Sequence, residues 1–122
     1  MILADTSVWI QHFRYGHPQL QQSLMDDQIL MHPLVLGEIA CGNLRARSKI
    51  LEDLRRMPSA MSAQHEEVLA FVEQYRLFGK GINWIDANLL ASARLTGCRL
   101  WTLDAALRAL ASDFKVGYSA TQ

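Results

Sequence analysis

Four carboxylates, Asp5, Glu38, Asp86 and Asp104, stand where short apolar segments of this chain begin or end. Asp5 closes the run Met1-Ile2-Leu3-Ala4, and Asp104 closes Arg99-Leu100-Trp101-Thr102-Leu103. Glu38 lies within Leu34-Val35-Leu36-Gly37-Glu38-Ile39-Ala40-Cys41, and Asp86 opens Trp84-Ile85-Asp86-Ala87-Asn88-Leu89-Leu90-Ala91. Acids this far apart in sequence meet only in a folded domain. If they converge, they make an oxygen-rich pocket suited to a hard divalent cation such as Mg²⁺ or Mn²⁺. The chemistry expected there is hydrolysis of phosphodiesters, with the cation polarising the phosphate and activating a water.

Each acid has a structural alternative. Asp5 and Asp104 follow strand-like runs and precede helix-like ones. Ligands gather there in open parallel sheets, but Asp is also a favoured N-cap at that point. Asp86 falls in a first helical turn, where the helix dipole stabilises a negative charge by about 0.3–1 kcal/mol. Glu38 is harder to explain structurally. Its helical neighbours Leu34, Val35, Cys41 and Gly42 are apolar or small, and an unpartnered carboxylate on such a face carries a large desolvation cost. Arg45, two turns on, is one source of compensation; a metal ion is a better one. Thr6, Ser7 and Thr102 place hydroxyls beside Asp5 and Asp104. Capping accounts for Thr6 or Ser7. Thr102, two residues before Asp104, falls on the same side of its strand, within reach of a carboxylate or a metal-bound water.

The elements that must position these groups alternate. Strands are expected at 2–5, 29–31, 100–103 and 115–118. Helices are expected after Thr6-Ser7 through Phe13, over 18–26, from Pro33 to Cys41, and over 46–57. Val68, Phe71, Val72, Tyr75 and Phe78 make a further helical stripe. A small-residue helix over 84–96 ends at Gly97, and another covers 105–111. This order predicts a mostly parallel sheet covered on both faces, in one domain spanning 1–122 with no linker or repeat.

At 122 residues the chain can bury a real core. No apolar run approaches the roughly 20 residues that span a bilayer, and Asp5 interrupts any leader-like start. A soluble cytoplasmic protein without membrane contact is expected. Twelve basic residues balance twelve acidic ones, so nucleic-acid contact must be local. Arg45, Arg47, Lys49, Arg55 and Arg56 crowd one segment that is either such a contact or a solvated helix face. Cys41 and Cys98 lack ligand spacing and read as reduced core thiols. His12, His17, His32 and His65 make no zinc signature. Trp9, Trp84 and Trp101 read as core or interface residues.

Taken together, these segments resemble a known family. Ile2-Leu3-Ala4-Asp5-Thr6-Ser7-Val8-Trp9-Ile10 is similar to the opening of PIN-domain ribonucleases, and more closely of VapC-type toxins from bacterial toxin–antitoxin pairs. The resemblance continues at Leu36-Gly37-Glu38-Ile39, at Ile85-Asp86-Ala87-Asn88-Leu89-Leu90-Ala91-Ser92-Ala93, and at Leu100-Trp101-Thr102-Leu103-Asp104. It implies a three-layer α/β/α fold with a mostly parallel sheet of about five strands. Asp5, Glu38, Asp86 and Asp104 would match the family's acidic quartet, and Thr6 or Ser7 and Thr102 its supporting hydroxyls. Asp5 and Asp86 are the first choices for direct contact with Mg²⁺ or Mn²⁺. Glu38 and Asp104 would ligate, orient water or complete the outer shell. The resemblance further implies an RNA substrate such as a transfer RNA or ribosomal loop, with Arg45, Arg47 and Lys49 as RNA contacts. It also implies a homodimer and a cognate antitoxin that covers the acids, with residues 8–15 and 46–57 as surfaces for them. Leu107 replaces the aromatic often found three residues after the fourth acid, a departure that touches packing rather than ligation.

Two alternatives remain open at this level. A receiver-type signalling domain is also α/β with Mg²⁺-binding acids, but needs an acidic pair after the first strand. Here Asp5 is followed by Thr6-Ser7, and Asp26-Asp27 falls elsewhere; Lys115 is the nearest match to its strand-end lysine. The other alternative is a non-catalytic RNA-binding PIN scaffold.

Overall fold

A three-residue strand, Ile2–Ala4 (β1), runs up the centre of the sheet and is wholly buried. The computed structural model describes residues 1–119. Parallel partners flank β1: Ile29–Leu30 (β2) on one side and Arg99–Trp101 (β3) on the other. About five strands are expected; among the described residues three form, and the sheet is widened at each edge by one parallel bridge, Met31 with Ser59 and Leu100 with Gly117. Backbone bonds flank both bridges, from Met31 N to Pro58 O and from Leu100 N to Val116 O. The expected strand at 115–118 is therefore a single bridge, and Lys115 at its start has φ +60.

Seven helices fill the connections among the described residues: Thr6–Tyr15 (α1), Pro18–Met25 (α2), Pro33–Ala40 (α3), Arg47–Arg55 (α4), His65–Gln74 (α5), Trp84–Thr96 (α6) and Ala105–Asp113 (α7). Their ends follow local chemistry. Pro18 and Pro33 open α2 and α3, where the missing N–H has no helical partner to lose. Gly97 closes α6 with φ +74, a left-handed conformation that costs glycine little. The stripe expected to reach Phe78 stops at Gln74, and Phe78 is 60% exposed. Arg76, with φ +52, turns the chain instead, and Leu77 takes the buried position.

The chain steps from β1 to β2 and the Ser59 edge in one direction. It then crosses back over β1 to β3 and continues to the Gly117 edge. Right-handed crossovers place α1–α4 on one face and α5–α7 on the other. The packing agrees: α1 and α4 contact α3, α5 contacts α6, and Phe71 and Tyr75 stack on Phe114 just beyond α7. This is the three-layer α/β/α arrangement. Leu3, Ala4, Val8, Val35, Ile39, Leu90, Leu100 and Leu107 are among its fully buried residues. Leu107 thus does pack in the core. Trp9 and Trp101 are core residues, whereas Trp84 is exposed. Cys98 is buried, but Cys41, the C-cap of α3, is exposed and is not the core thiol expected. No helix among the described residues is long and apolar enough to cross a membrane.

Candidate active site

The reversal of strand order puts a crevice between the carboxyl ends of β1 and β3, the position where α/β sheets collect ligands. Register fixes what faces it. Ala4 pairs with Trp101, and Asp5 N donates to Trp101 O at 2.9 Å, so Asp5 comes level with Thr102. The Thr102 hydroxyl then donates to Asp5 Oδ2 across the crevice. On its other oxygen, Oδ1, Asp5 accepts from Ser7 N at 3.0 Å, from Val8 N at 3.4 Å and from the Ser7 hydroxyl. Asp5 is thereby the N-cap of α1, the structural role open to it from its place before a helix, and Thr6 and Ser7 lie inside that helix. It is buried, and burial pushes its carboxyl above the ordinary carboxylate range against the pull of the Ser7 and Thr102 hydroxyls and the two amides.

The same two hydroxyls also accept from the loop between β3 and α7. Ser7 Oγ accepts from Leu103 N and Thr102 Oγ1 from Asp104 N, both at 3.0 Å. Asp104 caps α7 by accepting from Leu107 N at 2.9 Å and is itself exposed. Thr6 turns the other way and donates to Glu38 Oε1 at 2.6 Å, tying α1 to α3. Glu38 is half-buried, and Thr6 rather than Arg45 is its recorded partner.

Asp86 enters from α6. Asn83 and Asp86 form a reciprocal cap: Asp86 N donates to Asn83 Oδ1 at 2.8 Å, and Asn83 N to Asp86 Oδ2 at 3.1 Å. Asn83 was not singled out by the sequence reading, although an Asn three residues before an Asp is a legible capping signal. The Asp86 carboxyl is pushed up, first by burial and then by the negative charges of Asp104, Asp5 and Glu38, against the pull of its Asn83 bond. The fold therefore brings all four acids into one electrostatic neighbourhood. A second unforeseen contact supports it. His32, the buried N-cap of α3, meets the buried Ser92 hydroxyl of α6 at 3.0 Å, joining the helices that carry Glu38 and Asp86. Burial holds this imidazole below its ordinary value.

The donor set is all oxygen and uncompensated. The ion pairs recorded among the described residues, Lys49–Asp53 and Arg56–Glu52, lie along α4 and involve none of the four acids. Nor do three His, Cys, Asp or Glu side chains among the described residues stand close enough for a ready-made metal cage. An excess of carboxylate charge without a closed cage suits an ion that retains several waters and takes one or two protein carboxylates, as Mg²⁺ does. The basic segment is exposed, and two of its cations also bond to neighbouring groups. Arg47 donates to Ala40 O and Gly42 O at the end of α3, and Lys49 pairs with Asp53. Arg45 lines a cleft with Arg14 and Tyr15. Asp26 and Asp27 lie in the turn after α2, so the acidic pair of a receiver domain is missing from the end of β1.

The chain matches the PIN domain family model over residues 2–113. It is 43% identical over 114 residues to a protein named Ribonuclease VapC32 from Mycobacterium tuberculosis, in strains CDC 1551 / Oshkosh and H37Rv. The alignment covers 93% of this chain and 92% of the relative. Among solved structures, PAE2754 from Pyrobaculum aerophilum superposes with a TM-score of 0.59 at 18% identity, over 88% of this chain and 77% of that one, a likeness of fold alone. On its sequence match and its fold, this chain belongs to the PIN-domain family, among its VapC-type members.

Proposed function

We propose that this chain is a divalent-metal-dependent endoribonuclease, the toxin of a toxin–antitoxin pair, that hydrolyses phosphodiester bonds in structured RNA. The observation that carries the reading is the uncompensated acid group: Asp5 is buried among neutral donors, and Asp86 is pushed up by burial and by three neighbouring acids. A family relative that bears the name ribonuclease supports it. Asp5 and Asp86 are the metal-holding residues in this reading, with Glu38 and Asp104 orienting water or completing the outer shell. Mg²⁺ or Mn²⁺, when bound, supplies the positive charge that makes the phosphate susceptible and an attacking water acidic.

The chain's own residues prepare that site. Ser7 and Thr102 hold the Asp5 carboxylate, and Thr6 holds Glu38. Asn83 N–H donates to Asp86 Oδ2 and so orients the carboxylate. Single-stranded loops, as in transfer or ribosomal RNA, are the substrate class, because their backbone can be splayed into a narrow acidic crevice. Arg45, Arg47 and Lys49, all exposed, are the expected contacts. A cognate antitoxin would silence the site by covering the acids with a basic side chain. The working form would be a homodimer in the cytoplasm.

Purified protein, freed of any partner, is incubated with total cellular RNA in Mg²⁺ or Mn²⁺ and in chelator, beside Asp5→Asn and Asp86→Asn. Discrete cleavage that needs metal and both acids is expected, and fragment ends name the target. Wild-type turnover by either variant removes that residue from the mechanism. A folded, metal-binding protein that cleaves nothing overturns the nuclease reading in favour of a non-catalytic scaffold.

A further inference from the structure

A cleft of about 620 Å³ opens on the outer edge of β3, walled by α7 and the segment after it. Arg99, Arg108 and Lys115 all line it, and no Asp or Glu does. In a chain of zero net charge, three cations around one cavity form a strong local asymmetry. The nearest acids in sequence, Asp104 and Asp113, stand at the two ends of α7 and not in the lining. The cations are oriented without being neutralised. Arg99 donates to Lys115 O at 3.0 Å and Arg108 to Leu103 O at 3.2 Å, and neither joins an ion pair recorded among the described residues. Tyr118 adds an aromatic face, its ring 4.9 Å from that of Trp101.

The cleft shares a wall with the acid centre. Thr102 lines it and donates to Asp5 Oδ2; Leu103 lines it and donates its N–H to Ser7 Oγ. Four clustered carboxylates repel a polyanion, so an RNA strand that enters the crevice needs compensating cations immediately beside it. Resting on the nuclease reading, we infer that this cleft holds the RNA strand next to the scissile phosphate, with backbone phosphates on Arg99, Arg108 and Lys115 and a base on Tyr118. Tyr118 is half-buried, and cations beside an aromatic face are how single strands are held. An acidic protein segment would use the cations but gain nothing specific from Tyr118.

The test is fluorescence anisotropy of a labelled ten-nucleotide oligouridine in chelator across a salt series, using the full chain. For Arg99→Gln/Lys115→Gln, two lost phosphate contacts lower the slope of log K against log salt by about 1.4, or about 25-fold in affinity at 0.1 M salt. If the double variant does not fold by circular dichroism, Arg108→Gln alone lowers the slope by about 0.7. Arg76→Gln/Lys80→Gln, of equal charge change, leaves it unaltered. Tyr118→Leu weakens oligouridine by about tenfold but leaves polyglutamate binding unchanged. An unaltered slope in the folded cleft variant, or an equal fall in the control pair, overturns the inference. So does polyglutamate competing as well as oligouridine with no effect of Tyr118→Leu, which assigns the cleft to an acidic protein. Metal-dependent cleavage by the double variant with wild-type KM refutes the cleft and spares the nuclease reading. Loss of slope in a protein that never cleaves does the reverse.

Discussion

Replacing Thr102 by Val removes one hydroxyl from the centre of the site and little else. The two side chains have the same shape, and Thr102 is 4% exposed, so packing is retained and only hydrogen bonds are lost. One of these, from Asp104 N, is cheap to lose, because Asp104 is exposed and its amide can turn to water. The other is not. Asp5 Oδ2 depends on Thr102, since the remaining three donors converge on Oδ1. Stripping a buried, ionised acceptor of its donor costs about 1.5–3 kcal/mol. For a domain of this size that lowers Tm by about 5–15 °C. The penalty has a pH signature. The Thr102 bond is one of the forces holding the Asp5 carboxyl down, so its loss lets burial push that carboxyl higher still. The cost is then full where Asp5 is ionised in both proteins and shrinks in acid, where it is protonated in both. Calorimetric melts of wild type, Thr102→Val and Thr102→Ser at neutral and mildly acidic pH read this directly, with Ser restoring most of the loss. A Val variant that melts with the wild type at neutral pH refutes the reasoning, as does a penalty undiminished in acid.

The two raised acids, Arg94 and the His32–Ser92 contact each carry a further outcome. Asp5 and Asp86 both titrate above their ordinary value of 3.8 in the fold. A carboxyl raised in this way contributes stability that is full below its unfolded pKa and lost as pH rises through its folded one. Metal-free protein therefore loses stability toward neutral pH through these two groups, and an Asp5→Asn/Asp86→Asn variant gives a flatter profile of urea midpoint against pH. Added Mg²⁺ at a hundred times its Kd recovers about 2.7 kcal/mol at neutral pH in the wild type only; equal recovery in the variant would place the ion elsewhere. The guanidinium of Arg94 lies 5.3, 5.1 and 4.8 Å from the ring centres of Phe71, Tyr75 and Phe114. Arg94→Ala lowers unfolding free energy by about 1–2 kcal/mol in urea, and Lys, lacking the planar group, restores only part; full rescue by Lys would show that charge alone matters. Ser92→Ala leaves the buried His32 ring without its partner across the sheet and costs about 1–3 kcal/mol, whereas an unchanged denaturation midpoint would mean that the ring turns to another acceptor.

The layered fold and its acids are readable because both rest on local rules. Strand ends before helices locate Asp5 and Asp104, and Pro33 and Gly97 mark helix ends whatever the tertiary context. Glu38 is conspicuous because a charge on an otherwise apolar helix face needs a reason. What the sequence conceals is choice between equivalent donors and the meeting of distant groups. Thr6 and Ser7 are adjacent hydroxyls, and only the register of the sheet with α3 sends one to Glu38 and the other to Asp5. Arg99, Arg108 and Lys115 are unremarkable in sequence because they belong to a strand, a helix and a turn. The segment from Arg45 to Arg56 is conspicuous only because its charges are adjacent in sequence, and several of them are engaged with their own neighbours. The stripe from Val68 to Phe78 misleads for a related reason: periodicity continues past the point where Arg76 leaves helical geometry.

The Ser7 and Thr102 hydroxyls have one more property, which is direction. Each accepts from a backbone N–H, of Leu103 and of Asp104, and an amide can act only as donor. Each hydroxyl hydrogen is therefore aimed at Asp5 and has no equivalent place to swing. Both arrows end on the carboxylate, one on each oxygen. A proton arriving at Asp5 would add a donor to a carboxyl already ringed by donors, weakening bonds that the sheet and α7 hold in place. Burial urges the acid to take up a proton while the wiring around it is laid for an anion. The competition between a proton and a cation for this crevice is thus biased in advance by the orientation of two hydrogen atoms, set by loops whose own amides point the same way.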